Sequence, residues 1–232
     1  MRTNLLLRTD TAATALARPT TADAVTLDLT AGMPDGSRTH GRRSALPDTA
    51  KSGRPVHVRL AVDRSGGIEA AFAGVVSASV AAVLLSGAER PQDVRDADVA
   101  TRRAEMRLGI EPGTVRLVPE IGSATALRGL ARMLDAVDRC SAVALNTDAL
   151  AADLGLPGPQ DSHLAIIEHA MAEVALSARA ARLPWMALAP SLAAGGRAAL
   201  AVRAHAHGAA GVYIDSEPEA HGFNSLFTNA SD

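Results

Sequence analysis

Residues 142–155 read Ala142-Val143-Ala144-Leu145-Asn146-Thr147-Asp148-Ala149-Leu150-Ala151-Ala152-Asp153-Leu154-Gly155. A short apolar run, 142–145, stops at three polar residues, with an acid at 148 and an alanine at 149. A run of this length suits a buried strand, and a polar stop puts side chains capable of chemistry at its end. Runs of the same kind lie at 5–7, 24–29, 56–62, 81–85, 115–119, 185–188 and 211–214, several of them rich in β-branched residues and most bounded by turn residues. Together they make eight candidate strands.

The stretches between them carry helical periodicity. Residues 124–137 place Leu127, Leu130, Ala131 and Leu134 on one face. The longest helix is expected over 161–182, with Ile166, Ala170, Val174 and Ala178 along one side, Asp161-Ser162 as its N-cap and Pro184 marking its end. Strand alternating with helix argues for a parallel sheet. Eight repeats of that unit argue for α/β architecture closed into a (β/α)8 TIM barrel, a single domain over 1–232 at a length typical of such barrels. An open doubly wound sheet is the alternative, but no Gly-x-Gly-x-x-Gly follows the first strand.

Composition narrows the classes further. The chain is 47% hydrophobic with 2% aromatic residues, so alanine, valine and leucine must fill the core. A net charge of -2 leaves no electrostatic footprint for nucleic acid. The single Cys140 rules out an internal disulfide and suits a reducing compartment. No apolar run reaches the length of a membrane span, and residues 1–8 carry too short an apolar core for a secretory signal, so a cytoplasmic protein is expected. Residues 32–49 read as a polar loop whose Arg38, His40, Arg42 and Arg43 suit a solvated surface, and the tail after Ser216 reads as polar and partly mobile.

In a closed barrel the C-terminal strand ends share one cleft. Those ends supply Arg8, Asp28, Arg59, Ser86, Glu120, Asn146 with Asp148, Pro190 and Asp215. Acids mixed with arginines suit joint binding of a divalent cation and a carboxylate: magnesium prefers carboxylate oxygens, and an arginine fork matches a substrate carboxylate.

The order of these pieces resembles the citrate lyase beta-subunit-like branch of the HpcH/HpaI aldolase superfamily over nearly the whole chain. Asp23-Ala24-Val25-Thr26-Leu27-Asp28-Leu29 resembles its Asp-Ala-Val-x-Leu-Asp-Leu-Glu-Asp, and Val58-Arg59-Leu60 its Val-Arg-x-Asn strand. Leu117-Val118-Pro119-Glu120-Ile121 resembles the strand that ends in a metal-binding Glu, and Ala151-Ala152-Asp153-Leu154-Gly155 the end of the second metal motif. The resemblance implies a magnesium-dependent carbon–carbon lyase acting on a small carboxylated or acyl-thioester substrate, assembled as a homo-oligomer, a trimer by analogy. It implies Glu120 as a metal ligand and Arg59 as the substrate anchor; their place at the strand ends puts Asp28 and Ser86 as substrate-binding candidates beside them.

The departures cluster at the same site. The family's Glu-Asp after Asp-Leu is Thr30-Ala31, its metal-binding Asp is Ala149, its Pro-Lys is Leu85-Ser86, and its His-Pro-Ser is replaced by Asp215-Ser216-Glu217-Pro218. Asp148 is the substitute ligand on offer, although neighbours on an extended segment point to opposite sides. Three functions follow: a lyase of altered specificity using Arg59 and Glu120, with Glu120 and Asp148 as metal ligands; a metal-independent catalyst such as a cyclase; or a non-catalytic partner subunit. Plainer roles stand beside these. Glu120 can simply pair with Arg59 inside the barrel mouth, and Asp28 can bind the backbone of the next loop. Ser86 has no histidine nearby in sequence to activate it. Cys140 and Trp185 read as core, His205 and His207 as surface residues, and His163 and His169 as poor ligands.

Overall fold

A computed structural model of the protein describes residues 1–8, 20–30, 52–156 and 164–228. Eight parallel strands, β1 (Thr3–Arg8), β2 (Ala24–Asp28), β3 (Val56–Ala61), β4 (Val80–Ser86), β5 (Arg116–Ile121), β6 (Val143–Asn146), β7 (Trp185–Leu188) and β8 (Gly211–Ile214), close into a barrel in sequence order. The described helices are α1 (Ile68–Val75), α2 (Pro91–Leu108), α3 (Ala124–Leu134), α4 (Thr147–Asp153), α5 (Leu164–Ala180), α6 (Ala194–Ala206) and α7 (Glu217–Thr228). The ring shuts where β1 meets β8, with Thr3 opposite Val212, Asn4 opposite Tyr213 and Leu5 opposite Ile214.

Alternation along each strand sorts the core into two layers. Outward residues such as Val25, Leu27, Val83, Leu117, Leu145, Val212 and Ile214 pack under the helices. Inward residues, among them Leu6, Leu84, Val118, Ala144, Met186, Leu188 and Tyr213, fill the barrel. With so few aromatic rings, the small alanines on β4 and β6 leave room for those larger side chains to interdigitate.

Several helices differ from what their periodicity predicts. On α3, Leu127, Leu130 and Leu134 are buried as expected, but Ala131 is exposed and Met133 and Ala126 complete the stripe. On α5, Ile166 faces solvent at 40% exposure, and Ile167 and Met171 join Ala170, Val174 and Ala178 inside. One residue of phase accounts for each difference, because the buried face of an alanine-rich helix is decided by what it meets rather than by its own weak pattern. The tail after Ser216 forms α7, whose Ala220 and Phe227 are buried. His205 is half-buried and packs edge-on against Phe227, with ring centroids 5.4 Å apart, so it is not a plain surface residue. The loop at 32–49 with Arg38, His40, Arg42 and Arg43, as well as Asp161, Ser162 and His163, lies outside the described residues.

Candidate functional site at the barrel mouth

Five consecutive strands, β2 to β6, each send a polar side chain to one cluster at their C-terminal ends. Arg59 on β3 is the hub, and register sets Asp28 beside it on β2. Its Nε and Nη2 donate to Glu120 Oε2 and Oε1 at 2.6 and 2.7 Å. Its Nη1 donates to Asp28 Oδ2 at 2.9 Å and to Thr30 Oγ1 at 2.8 Å, and Nη2 also donates to Ser86 Oγ at 3.2 Å. A guanidinium has five N–H groups, and these contacts use every one.

Glu120 is held as fully. Its Oε1 also accepts from Ser86 Oγ at 3.1 Å and from Asn146 Nδ2 at 2.8 Å. Asn146 ties the cluster to the next helix: its Oδ1 caps α4 by accepting from Ala149 N at 3.0 Å. Asp28 Oδ1 accepts from Thr30 N and Oγ1 at 2.9 and 2.6 Å, a local turn that fixes the loop leaving β2. The three charged side chains are 9% exposed or less, whereas Thr30 and Ser86 are half-buried. Burial alone would lower the proton affinity of Arg59, but hydrogen bonds and charges from Glu120 and Asp28 outweigh it, so the net shift is upward and the side chain stays cationic.

Asp148 lies elsewhere on the rim. Its Oδ2 accepts from Ser191 N and Oγ, both at 2.6 Å, which draws it toward the loop after β7. The methyl of Ala149 sits against the backbone of Gly122, two residues beyond Glu120, where a Cβ on Gly122 would come within 2.8 Å of it. Among the described residues no three acidic, histidine or cysteine side chains form a group that could hold a metal ion. The candidate pair Glu120 and Asp148 therefore does not fit magnesium: Glu120 is saturated by four donors, Asp148 faces another loop, and hard cations need free oxygens.

A second polar group lies deeper in the barrel: Thr26 and His57 stand two residues before Asp28 and Arg59, and Asn4 four before Arg8. Thr26 Oγ1 donates to Asn4 Oδ1 at 2.7 Å, and Asn4 Nδ2 lies 3.1 Å from His57 Nδ1. With the amide so oriented, His57 Nδ1 is the acceptor and the neutral ring carries its proton on Nε2. Burial pulls the His57 pKa down to about 4. The unfolded chain therefore binds a proton that the native state refuses, so stability holds above about pH 6.5 and falls as the pH drops toward 4. The expected loss is about 3 kcal/mol at pH 4. Urea midpoints from pH 7 to 4 check it, and His57→Gln should flatten that slope; an unchanged slope in the variant would assign the acid sensitivity to other groups.

Sequence reasoning named Arg59, Asp28, Ser86 and Glu120, and the structure brings all four together. Thr30 was read only as a lost acid, yet it bonds both Arg59 and Asp28. Asn146 was on the rim list without a role; the signal that identifies it is an Asn three residues before the helix N–H it caps. Asn4, Thr26 and His57 were missed, although each falls on the inward phase of its strand.

The fold and the polar rim define a closed (β/α)8 barrel with an arginine–carboxylate cluster at the strand ends. A model of the HpcH/HpaI aldolase/citrate lyase family matches residues 8–212, and the chain belongs to that family. No curated protein matches it. Among solved structures it is similar to RipC from Yersinia pestis (18% identity, TM-score 0.72, covering 98% of this chain and 94% of that one). It is also similar to the citrate lyase beta subunit of M. tuberculosis complexed with oxaloacetate and magnesium (20% identity, TM-score 0.69, 97% and 96%). A third similar structure is the malate synthase magnesium/glyoxylate complex of Haloferax volcanii (13% identity, TM-score 0.80, 97% and 74%). At these identities the structural likeness carries the fold. Among the described residues no helix is long and apolar enough to cross a membrane.

Proposed function

We infer that the barrel mouth serves a carbon–carbon lyase of altered specificity, in which Arg59 meets a small carboxylated substrate directly instead of through magnesium. One observation carries this: Glu120 fixes the Nε–Nη2 edge of Arg59, while two of the other three N–H groups rest on neutral, half-buried hydroxyls, Thr30 and Ser86. A substrate carboxylate or enolate oxygen that displaces those hydroxyls replaces cation-to-neutral hydrogen bonds with bonds between opposite charges, which are the shorter and stronger kind. In the cleavage, a β-hydroxyl gives up its proton and becomes the carbonyl of one product. The carbon–carbon bond breaks, and its electron pair moves onto a carbonyl oxygen of the other fragment as an enolate. Arg59 supplies positive charge where that oxygen turns negative. Asp28, whose Oδ2 has one partner among the described residues, Arg59 Nη1, takes the hydroxyl proton, and Glu120 holds the fork in aim.

The same saturation of Arg59 favours a second reading, a barrel kept as a non-catalytic partner subunit. Turnover separates the two. The protein is incubated with β-hydroxy acids and β-hydroxy acyl thioesters, in EDTA and in millimolar magnesium, and the carbonyl product is followed. The expected result is cleavage that persists in EDTA, drops at least about tenfold in Arg59→Lys, which loses the fork, and survives in Thr30→Val/Ser86→Ala, whose hydroxyls the substrate displaces. Cleavage that needs added magnesium overturns the metal-free mechanism, and no cleavage of any member of the series moves the assignment to the partner subunit.

A further inference from the structure

The N-terminal end of the barrel, opposite the mouth, carries a cavity of about 500 Å³ between the ends of α5 and α6 and the start of β7. Leu176, Leu183 and Trp185 give it apolar walls, and Arg179, Arg182 and His207 give it a basic rim. That volume lies in the range of small-molecule sites.

Charge in this corner is one-sided. Residues 174–214 contain four arginines, two histidines and no acid, although the chain as a whole is acidic. Arg197 is neutralised near the other end of α6 by Asp215 and Glu219. Arg179 and Arg182 are exposed, and neither has a side-chain partner among the described residues. His207 Nδ1 donates to Arg203 O at 2.9 Å, which leaves Nε2 as the free nitrogen of the ring. One buried polar atom without a partner among the described residues, Trp185 Nε1, belongs to a residue that lines this cavity.

Arg182 is also held in an unfavourable backbone conformation. It is the one non-glycine residue at positive φ among those described, at 58°. It occupies the left-handed position of a Schellman helix end, where Leu183 N donates to Ala178 O at 2.8 Å and Arg182 N to Arg179 O at 3.0 Å. Glycine is the residue that suits this position. An arginine there sets a second guanidinium beside Arg179 at the cavity rim, and retained backbone strain is characteristic of ligand clamps.

We propose that this cavity binds an organic phosphate monoester: the phosphate lies between Arg179 and Arg182 with His207 beside it, and a flat apolar body lies against Trp185, Leu183 and Leu176. Two guanidiniums match a dianion, since each can donate a fork of charge-assisted hydrogen bonds to its oxygens. Leu176 and Leu183 supply the apolar surface for the ring, and Trp185, 2% exposed, lies beneath it.

Trp185 is the single tryptophan of the chain, so its fluorescence reports on this cavity alone. The full chain is titrated with phenyl phosphate, with phenol and inorganic phosphate as the two halves of the probe. The expected result is a saturable change with phenyl phosphate, and at least about tenfold weaker responses to either half. Arg182→Gly should weaken binding about tenfold while raising the melting temperature, because glycine relieves the left-handed residue. Arg179→Ala should weaken binding by a similar factor. Phenol matching phenyl phosphate, inorganic phosphate displacing it at equal concentration, or an unchanged titration in both arginine variants would each overturn the proposal.

Discussion

Arg59→Leu destabilises the protein by about 3–5 kcal/mol at pH 7, and the deficit shrinks as the pH falls toward 4. The magnitude follows from what is left behind. Asp28 and Glu120 are 5% and 2% exposed, and without the guanidinium they are two buried carboxylates with no cation. Breaking a buried ion pair from one side costs about 3–5 kcal/mol, because the stranded charge stays out of water. The sign of the pH dependence differs between the two proteins. In the native protein the raised Arg59 pKa keeps its contribution present throughout the working range, to be lost only in strong alkali. In the variant, low dielectric and mutual repulsion favour the neutral acids, so the folded state takes up protons before the unfolded chain does and gains relative stability in acid. Urea midpoints at pH 7 and 4.5 measure both effects. A loss under about 1 kcal/mol, with no narrowing in acid, would mean that water reaches this cluster freely.

Gly211→Ala should open the barrel seam, with a loss at or beyond the upper end of the usual 1–3 kcal/mol for overpacking, roughly. A Cβ at this position would lie 2.2 Å from the carbonyl oxygen of Arg2 and 2.8 Å from that of Met1. Both obstacles are backbone, so no rotamer change relieves the clash. The neighbouring Val212 N donates to Arg2 O at 2.9 Å, which makes this contact part of the closure between β8 and β1. Gly74→Ala is the control: it lies in α1 with nothing within 4 Å of a new Cβ, and alanine there should be neutral or stabilising by about 0.5–1 kcal/mol. Thermal melts of the two variants give the comparison. Equal melting temperatures would show that the seam can part without cost.

Much of the mouth was legible because a strand end is a local feature. A polar residue within or just after the second half of an apolar run lies near the rim of a parallel barrel, which is how Asp28, Arg59, Ser86 and Glu120 emerge from the chain alone. Their partners were not legible. Whether Glu120 turns its oxygens to a metal or to Arg59 depends on five strands meeting at one point, and the nearest of those residues in sequence to Glu120 is Asn146, across a whole helix and strand. The same holds for Asp148, whose bonds run to Ser191 across the next β/α unit. His57 reads as an ordinary strand residue until its alternation is counted from Arg59, which puts it inside the barrel.

The sequence by itself determined the strands, their order and the parallel barrel, because alternating short apolar runs and helical stretches bury their faces in only a few ways and right-handed crossovers prune the rest. It also carries no acid at positions 30, 31 and 149, where the family it resembles has acids. Tertiary structure alone decided the burial phase of α3 and α5, the closure at Gly211 and the use of every donor on Arg59. Each of those depends on atoms far apart in the chain approaching within a few ångströms, and local propensity holds no record of such distances.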